Sequence, residues 1–185
     1  MYEEANEDFK LAFKEFQNDI TTKYFIRSNM GINLRLIGKY EESADMLRQA
    51  VELQPSRPGA YNNLGLTCIE MGEVNEAIAH FEKAIKFDTS AAIYYNNLGL
   101  AFFNNCQYKD AVIQFDTAKK INLEKDVPYE DPTIAFNLAN VYLTQKKFFE
   151  ALESYQEAIM IHDMNPKYWH HKGIVYEAMI KDLEE

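Results

Sequence analysis

Apolar residues recur every three or four positions along most of the chain, with polar residues between them, and that spacing winds onto one face of an α-helix. The runs are short, and Gly38, Gly72, Pro58, Pro132 and Pro166 punctuate them, which predicts many short helices rather than one long one. The pattern itself repeats. Tyr61-Asn62-Asn63-Leu64-Gly65 returns 34 positions later as Tyr95-Asn96-Asn97-Leu98-Gly99. Behind each stands a matching second half: Ala77, Phe81 and Ala84 in one, Ala111, Phe115 and Ala118 in the other. The preceding copy holds Arg27, Met30-Gly31, Leu34, Ser43, Leu47, Ala50 and Pro55. The following copy holds Ala135, Leu138-Ala139, Tyr142, Phe148, Ala151, Tyr155 and Ala158, at a step of 40 because residues 126–131 are inserted. Trp169, Lys172-Gly173 and Tyr176 begin a last, partial copy.

This periodicity has a physical cause. Each copy is a pair of helices whose small residues let two axes approach, namely Gly31, Gly65, Gly99 and Ala139 on first helices and Ala77, Ala111 and Ala151 on second helices. Aromatic side chains such as Phe81 and Phe115 fill the space around those contacts. Gly38 and Gly72 suit the turn between the two helices, where a left-handed backbone costs glycine little. Pro58, Pro132 and Pro166 suit helix starts, where a missing N–H does no harm. One helix pair cannot bury its apolar face alone, so neighbours must stack.

The motif aromatic-x2-Leu-Gly-x2-aromatic, then Ala-x3-aromatic-x2-Ala, often followed by Pro, resembles the tetratricopeptide repeat. The resemblance covers nearly the whole chain and implies an all-α, right-handed solenoid of helix-turn-helix repeats with about ten helices. The expected organisation is one array: an orphan second helix over 2–19, full repeats over 24–57, 58–91 and 92–125, the insertion 126–131, a full repeat over 132–165, and a terminal first helix over 166–185. Tyr2, Ala5, Phe9 and Ala12 carry the second-helix signature of the orphan. Residues 181–185 read as the turn that would start a further second helix. Each orphan helix is either a solvent-tolerant cap or the point where a longer array continues or a further molecule joins end to end. The insertion reads as a longer loop or helix end, or as a local change of pitch with a side contact through Tyr129. Lys172, Ala139 and Ser43 depart from the usual Leu, Gly and Ala.

Composition narrows the function classes. The 185 residues are 47% apolar, enough for a packed core, so global disorder is excluded. With 29 acidic and 19 basic side chains the formal net charge is −10, which excludes a general phosphate-binding surface and hence nucleic acid. No stretch approaches the roughly 18 uninterrupted apolar residues of a membrane-spanning helix, and the acidic N-terminus lacks the order of a signal peptide. Cys68 and Cys106 read as two buried free thiols, which points to a reducing, cytoplasmic setting. Ciliary or other assembly-bound locations also suit such arrays.

No enzyme constellation survives inspection, and no cofactor or metal is expected. Gly31 and Gly38-Lys39 have the wrong spacing for a phosphate loop. His162, His170, His171 and Asp163 lie near one another, but neighbours on a helix point apart, so solvated helix-end histidines are expected.

The feature with functional content is a row of asparagines. Asn29, Asn63, Asn97 and Asn137 each precede the Leu/Met-Gly/Ala pair of a first helix, at spacings of 34, 34 and 40, and His171 holds that place in the last copy. In the family, first helices line the inner, concave surface, so the resemblance puts these side chains in one groove. An amide carries one acceptor and two donors, which matches the C=O and N–H of a peptide unit. The row resembles the one in the superhelical repeat domain of O-linked N-acetylglucosamine transferases, which implies a grip on extended polypeptide. The alternative is that these amides satisfy neighbouring helix groups or face water. Asn62, Asn96, Leu66, Leu100, Phe103 and Asn140 complete the expected site, and Leu66 and Leu100 read equally as core. No basic cluster is present of the kind that clamps acidic chaperone tails. The expectation is therefore a non-enzymatic scaffold that binds an extended peptide of neutral to basic character. The rival expectation is a structural segment of a larger repeat protein or assembly that uses its ends or convex face.

Overall fold

The computed structural model describes residues 4, 5, 7–9, 11, 19–124 and 131–184. Among these there is no strand. Most of the expected helix 2–19 and all but Asp131 of the insertion lie outside the described residues, Tyr129 included. Two compact units are present, Met1–Thr89 and Ser90–Glu185. The first contains α1 (Ile20–Leu36), α2 (Tyr40–Leu53), α3 (Pro58–Met71) and α4 (Val74–Phe87). The second contains α5 (Ala92–Asn104), α6 (Tyr108–Leu123), α7 (Pro132–Thr144), α8 (Phe148–Ile161) and α9 (Pro166–Glu184). Within each unit, first helices pack on their own second helices, and α2 on α3, α6 on α7 and α8 on α9.

Helix starts follow local chemistry. The Asp19 carboxylate accepts from the Thr21 N–H at 2.9 Å, so α1 begins at Ile20, ahead of the expected boundary. Asp131 does the same for α7 through Thr133 N–H at 2.8 Å, with Pro132 in the first helical position.

The four turns between first and second helices share one geometry. Lys39 N–H donates to Leu34 carbonyl, Glu73 to Cys68, Gln107 to Phe102 and Lys147 to Tyr142. Each such bond encloses one left-handed residue: Gly38 (φ 80°), Gly72 (φ 79°), Cys106 (φ 58°) and Lys146 (φ 56°). This is the helix-ending arrangement in which two orphan carbonyls regain donors. It also corrects one sequence expectation. Cys106 sits at a turn tip and is exposed, while Cys68 inside α3 is buried.

The small residues of the first helices are contact points. A Cβ on Gly31 would lie 2.5 Å from Leu47 Cγ, on Gly65 2.6 Å from Phe81 Cε1, and on Gly99 2.7 Å from Phe115 Cε1. Leu47, Phe81, Phe115 and Tyr155 are all fully buried. Ser43, in place of the usual Ala, is buried without an unmet hydroxyl. It donates to Gly31 carbonyl at 2.7 Å and lies 3.1 Å from Thr67 Oγ1, which itself donates to Asn63 carbonyl.

The last helix breaks the pattern. Among the described residues, nothing beyond Gly173's own stretch of helix lies within 4 Å of a Cβ built there. Trp169, Tyr176, Ile180 and Leu183 on α9 are exposed. The expected turn at 181–185 is instead helical through Glu184, because nothing there stops a helix and Asp182 pairs with Lys146 in the α7–α8 turn. No described helix is long and apolar enough to cross a membrane.

Candidate functional site

The asparagine positions differ sharply in depth. In the first unit, Asn29 on α1 is exposed and Asn63 on α3 is half-buried, with Asn62 and Leu66 half-buried beside it. In the second unit, Asn97 on α5 and Asn137 on α7 are only 6% and 7% exposed. Asn137 Nδ2 donates to Asn96 Oδ1 at 3.0 Å. An amide that the repeat aligns in one row is thus bonded to the residue beside the row on the previous first helix. The residue pattern held both members of that pair, but only the approach of α7 to α5 joins them.

Asn140 is also engaged, since its Oδ1 accepts from the Tyr155 hydroxyl. Tyr155 is fully buried, and burial pushes its phenol up to about 12. His171 is not the solvated helix-end histidine expected. It is half-buried, its ring stands edge-on to Phe136 with centroids 4.9 Å apart, and its Nδ1 lies 2.9 Å from Lys167 carbonyl. Buried Phe136 and Tyr168 offer it an apolar contact that water cannot match. His162 and His170 are exposed.

Leu100 and Phe103 pack partly against the buried cluster of Ala111, Phe115 and Leu138, and the Phe103 ring lies 5.9 Å from Tyr108. They are flanks of the core as much as an apolar surface. A recess of about 230 Å³ opens beside Asn96, lined by Ala91, Ala92, Ile93, Asn122, Asp131 and Ile134. In the first unit, exposed Asn29 and half-buried Asn63, with half-buried Leu66 near the latter, can offer hydrogen bonds and shallow apolar contact to a chain.

The sequence model described as TPR repeat matches residues 33–72 and 65–105, and that described as Tetratricopeptide repeat matches 137–162. The chain belongs to the tetratricopeptide-repeat family. Solved structures agree on the fold. TTC0263, a thermophilic TPR protein in Thermus thermophilus, aligns over 95% of this chain and 90% of its own, with 18% identity and a TM-score of 0.76. YrrB, described as a TPR protein with an unusual peptide-binding site, aligns over 94% and 84%, with 20% identity and a TM-score of 0.69. The Cut9–Hcn1 hetero-tetramer of the APC/C aligns over 96% of this chain and 34% of its own, with 16% identity and a TM-score of 0.80. No curated protein matches the chain.

Proposed function

We propose that this chain is a non-enzymatic interaction module that holds an extended, neutral-to-basic segment of a partner protein against its first helices. The observation that carries this reading is the recurrence of asparagine at one position of four first helices, with Asn29 exposed and Asn63 half-buried. The amides of Asn29 and Asn63 can pair with a peptide unit whatever its side chain. The likeness to YrrB, a TPR protein with a peptide-binding site, is in keeping with it. The negative charge of the chain favours a partner segment without acidic clusters. Two free thiols suit a reducing, cytoplasmic setting.

The test compares partner capture from source-cell lysate by wild type and by Asn29→Ala/Asn63→Ala, matched for helicity and melting temperature. Captured partners are then divided into synthetic peptides and titrated. Peptides that bind wild type and lose affinity for the variant support the reading. Equal affinity for both proteins removes the first helices as the site.

A second reading concerns the end of the second unit. Gly31, Gly65 and Gly99 each receive a large side chain from a second helix, while Gly173 receives none. In the N-terminal signature, Ala5 and Phe9 are only half-buried, whereas Ala77 and Phe81 are fully buried. The outer face of α9 would accept a second helix, from a continuing array or from a further copy joined end to end. Sedimentation velocity over a wide concentration range tests the latter: a constant mass equal to one chain would exclude it.

A further inference from the structure

We propose that Cys68, Glu76 and His80 form a zinc site that clips α3 to α4. A Cys68 Sγ, a Glu76 carboxylate oxygen and a His80 ring nitrogen all lie within 4.8 Å of one another. The arrangement follows from the helical turn. Cys68 lies in the last turn of α3, where its carbonyl accepts from Glu73 N–H across left-handed Gly72. Glu76 and His80 are one turn apart on α4 and so share a face. The turn folds that face back over the end of α3.

One sulfur, one nitrogen and one oxygen form the donor set that Zn²⁺ accepts, whereas Mg²⁺ and Ca²⁺ take oxygen alone. Tetrahedral zinc, with bonds of about 2.0–2.3 Å, separates its donors by about 3.5 Å. Closing the present cluster to that size takes side-chain movements on the order of 1 Å. Exposed Glu76 is free to rotate inward. One further feature favours a cation. His80 Nδ1 is sealed from solvent and has no hydrogen-bond partner, a deficit that coordination through this nitrogen removes. Glu73 stands beside the same thiol but outside the three-residue cluster, so a water completes the four-coordinate set. Arg48 and Lys83 face the cluster too, and their positive charge opposes the cation that the donor atoms attract.

Burial first, then the Glu73 and Glu76 carboxylates, push the Cys68 thiol up to about 11, so the metal-free site holds S–H. Zinc binding exchanges that proton for the metal: the S–H bond breaks, a Zn–S bond forms, and the proton leaves to water. No redox change is involved. The site is structural, since it ties the two helices of one repeat and supplies no substrate pocket.

The experiment uses the whole 185-residue chain, stripped with a chelator and titrated with Co²⁺, then with Zn²⁺. One equivalent of Co²⁺ should give tetrahedral d–d bands and a thiolate-to-cobalt charge-transfer band, and Zn²⁺ should displace both. Cys106→Ser should keep the charge-transfer band and Cys68→Ser should lose it. His80→Gln should weaken zinc binding by more than about tenfold. The wild-type titration needs no variant to fold. Absence of a saturable charge-transfer band overturns the proposal, as does a band that survives Cys68→Ser and vanishes in Cys106→Ser.

Discussion

Gly99 and Gly173 occupy the same place in their repeats, within one unit, yet the structure gives their alanine variants opposite signs. A helix-interior Gly→Ala change gains about 1 kcal/mol from backbone entropy, and both sites are helical. At Gly99 the new Cβ would stand 2.7, 2.9 and 3.0 Å from Phe115 Cε1, Cδ1 and Cζ. That ring is fully buried, so it has nowhere to swing. Overpacking of this kind costs about 1–3 kcal/mol. At Gly173, among the described residues, nothing beyond its own stretch of helix lies within 4 Å, and the gain is kept. The propensity term cancels between the two variants, which leaves Gly173→Ala more stable than Gly99→Ala by about 1–3 kcal/mol. Urea unfolding followed by far-UV circular dichroism should separate their midpoints by roughly 1 M. A dilute sample keeps any association through α9 out of the measurement. A Gly99→Ala midpoint at or above wild type, or a Gly173→Ala midpoint below it, would refute the claim that Gly99 is held small by a helix contact that Gly173 lacks.

Cys106→Gly should raise stability by about 1 kcal/mol, because the residue sits at φ 58° where a side chain is strained; thermal melts in reducing buffer check this. Asn137→Ala should cost about 1–3 kcal/mol by leaving Asn96 Oδ1 buried and unpaired, while exposed Asn29→Ala should stay within about 0.5 kcal/mol of wild type in the same denaturation assay. The Tyr155 phenol is raised to about 12 by burial, so folding favours its neutral form. That contribution is complete below the ordinary phenol range near 10 and is lost as pH climbs from there through about 12. Tyr142 and Tyr24 shift in the same direction, also by burial, so Tyr155→Phe should flatten only part of the alkaline loss in the denaturation midpoint.

The repeat, its helical character, the register of small and aromatic positions and the left-handed turns at Gly38 and Gly72 were legible in the residue order. Each is set by interactions within about 20 residues, or by a spacing that recurs. The contact of Gly65 with Phe81 could be read because the same pair returns as Gly99 with Phe115. Recurrence was silent where a copy departs from the rest. Cys106 and Lys146 take the left-handed place without glycine, and Ser43 is held by a bond to Gly31 carbonyl that no pattern announces.

The depth of each asparagine depends on how closely neighbouring helices approach, which a one-dimensional row cannot express. Four identical positions therefore became one exposed, one half-buried and two buried amides. His171 was drawn into an aromatic group by Phe136, a residue 35 positions away on α7. Cys68, Glu76 and His80 likewise meet only because the α3–α4 turn reverses the chain. Sequence determined which residues repeat and which faces are apolar, since those follow from local periodicity. Tertiary structure alone decided which polar side chains find one another, since that depends on distances between helices far apart in the chain.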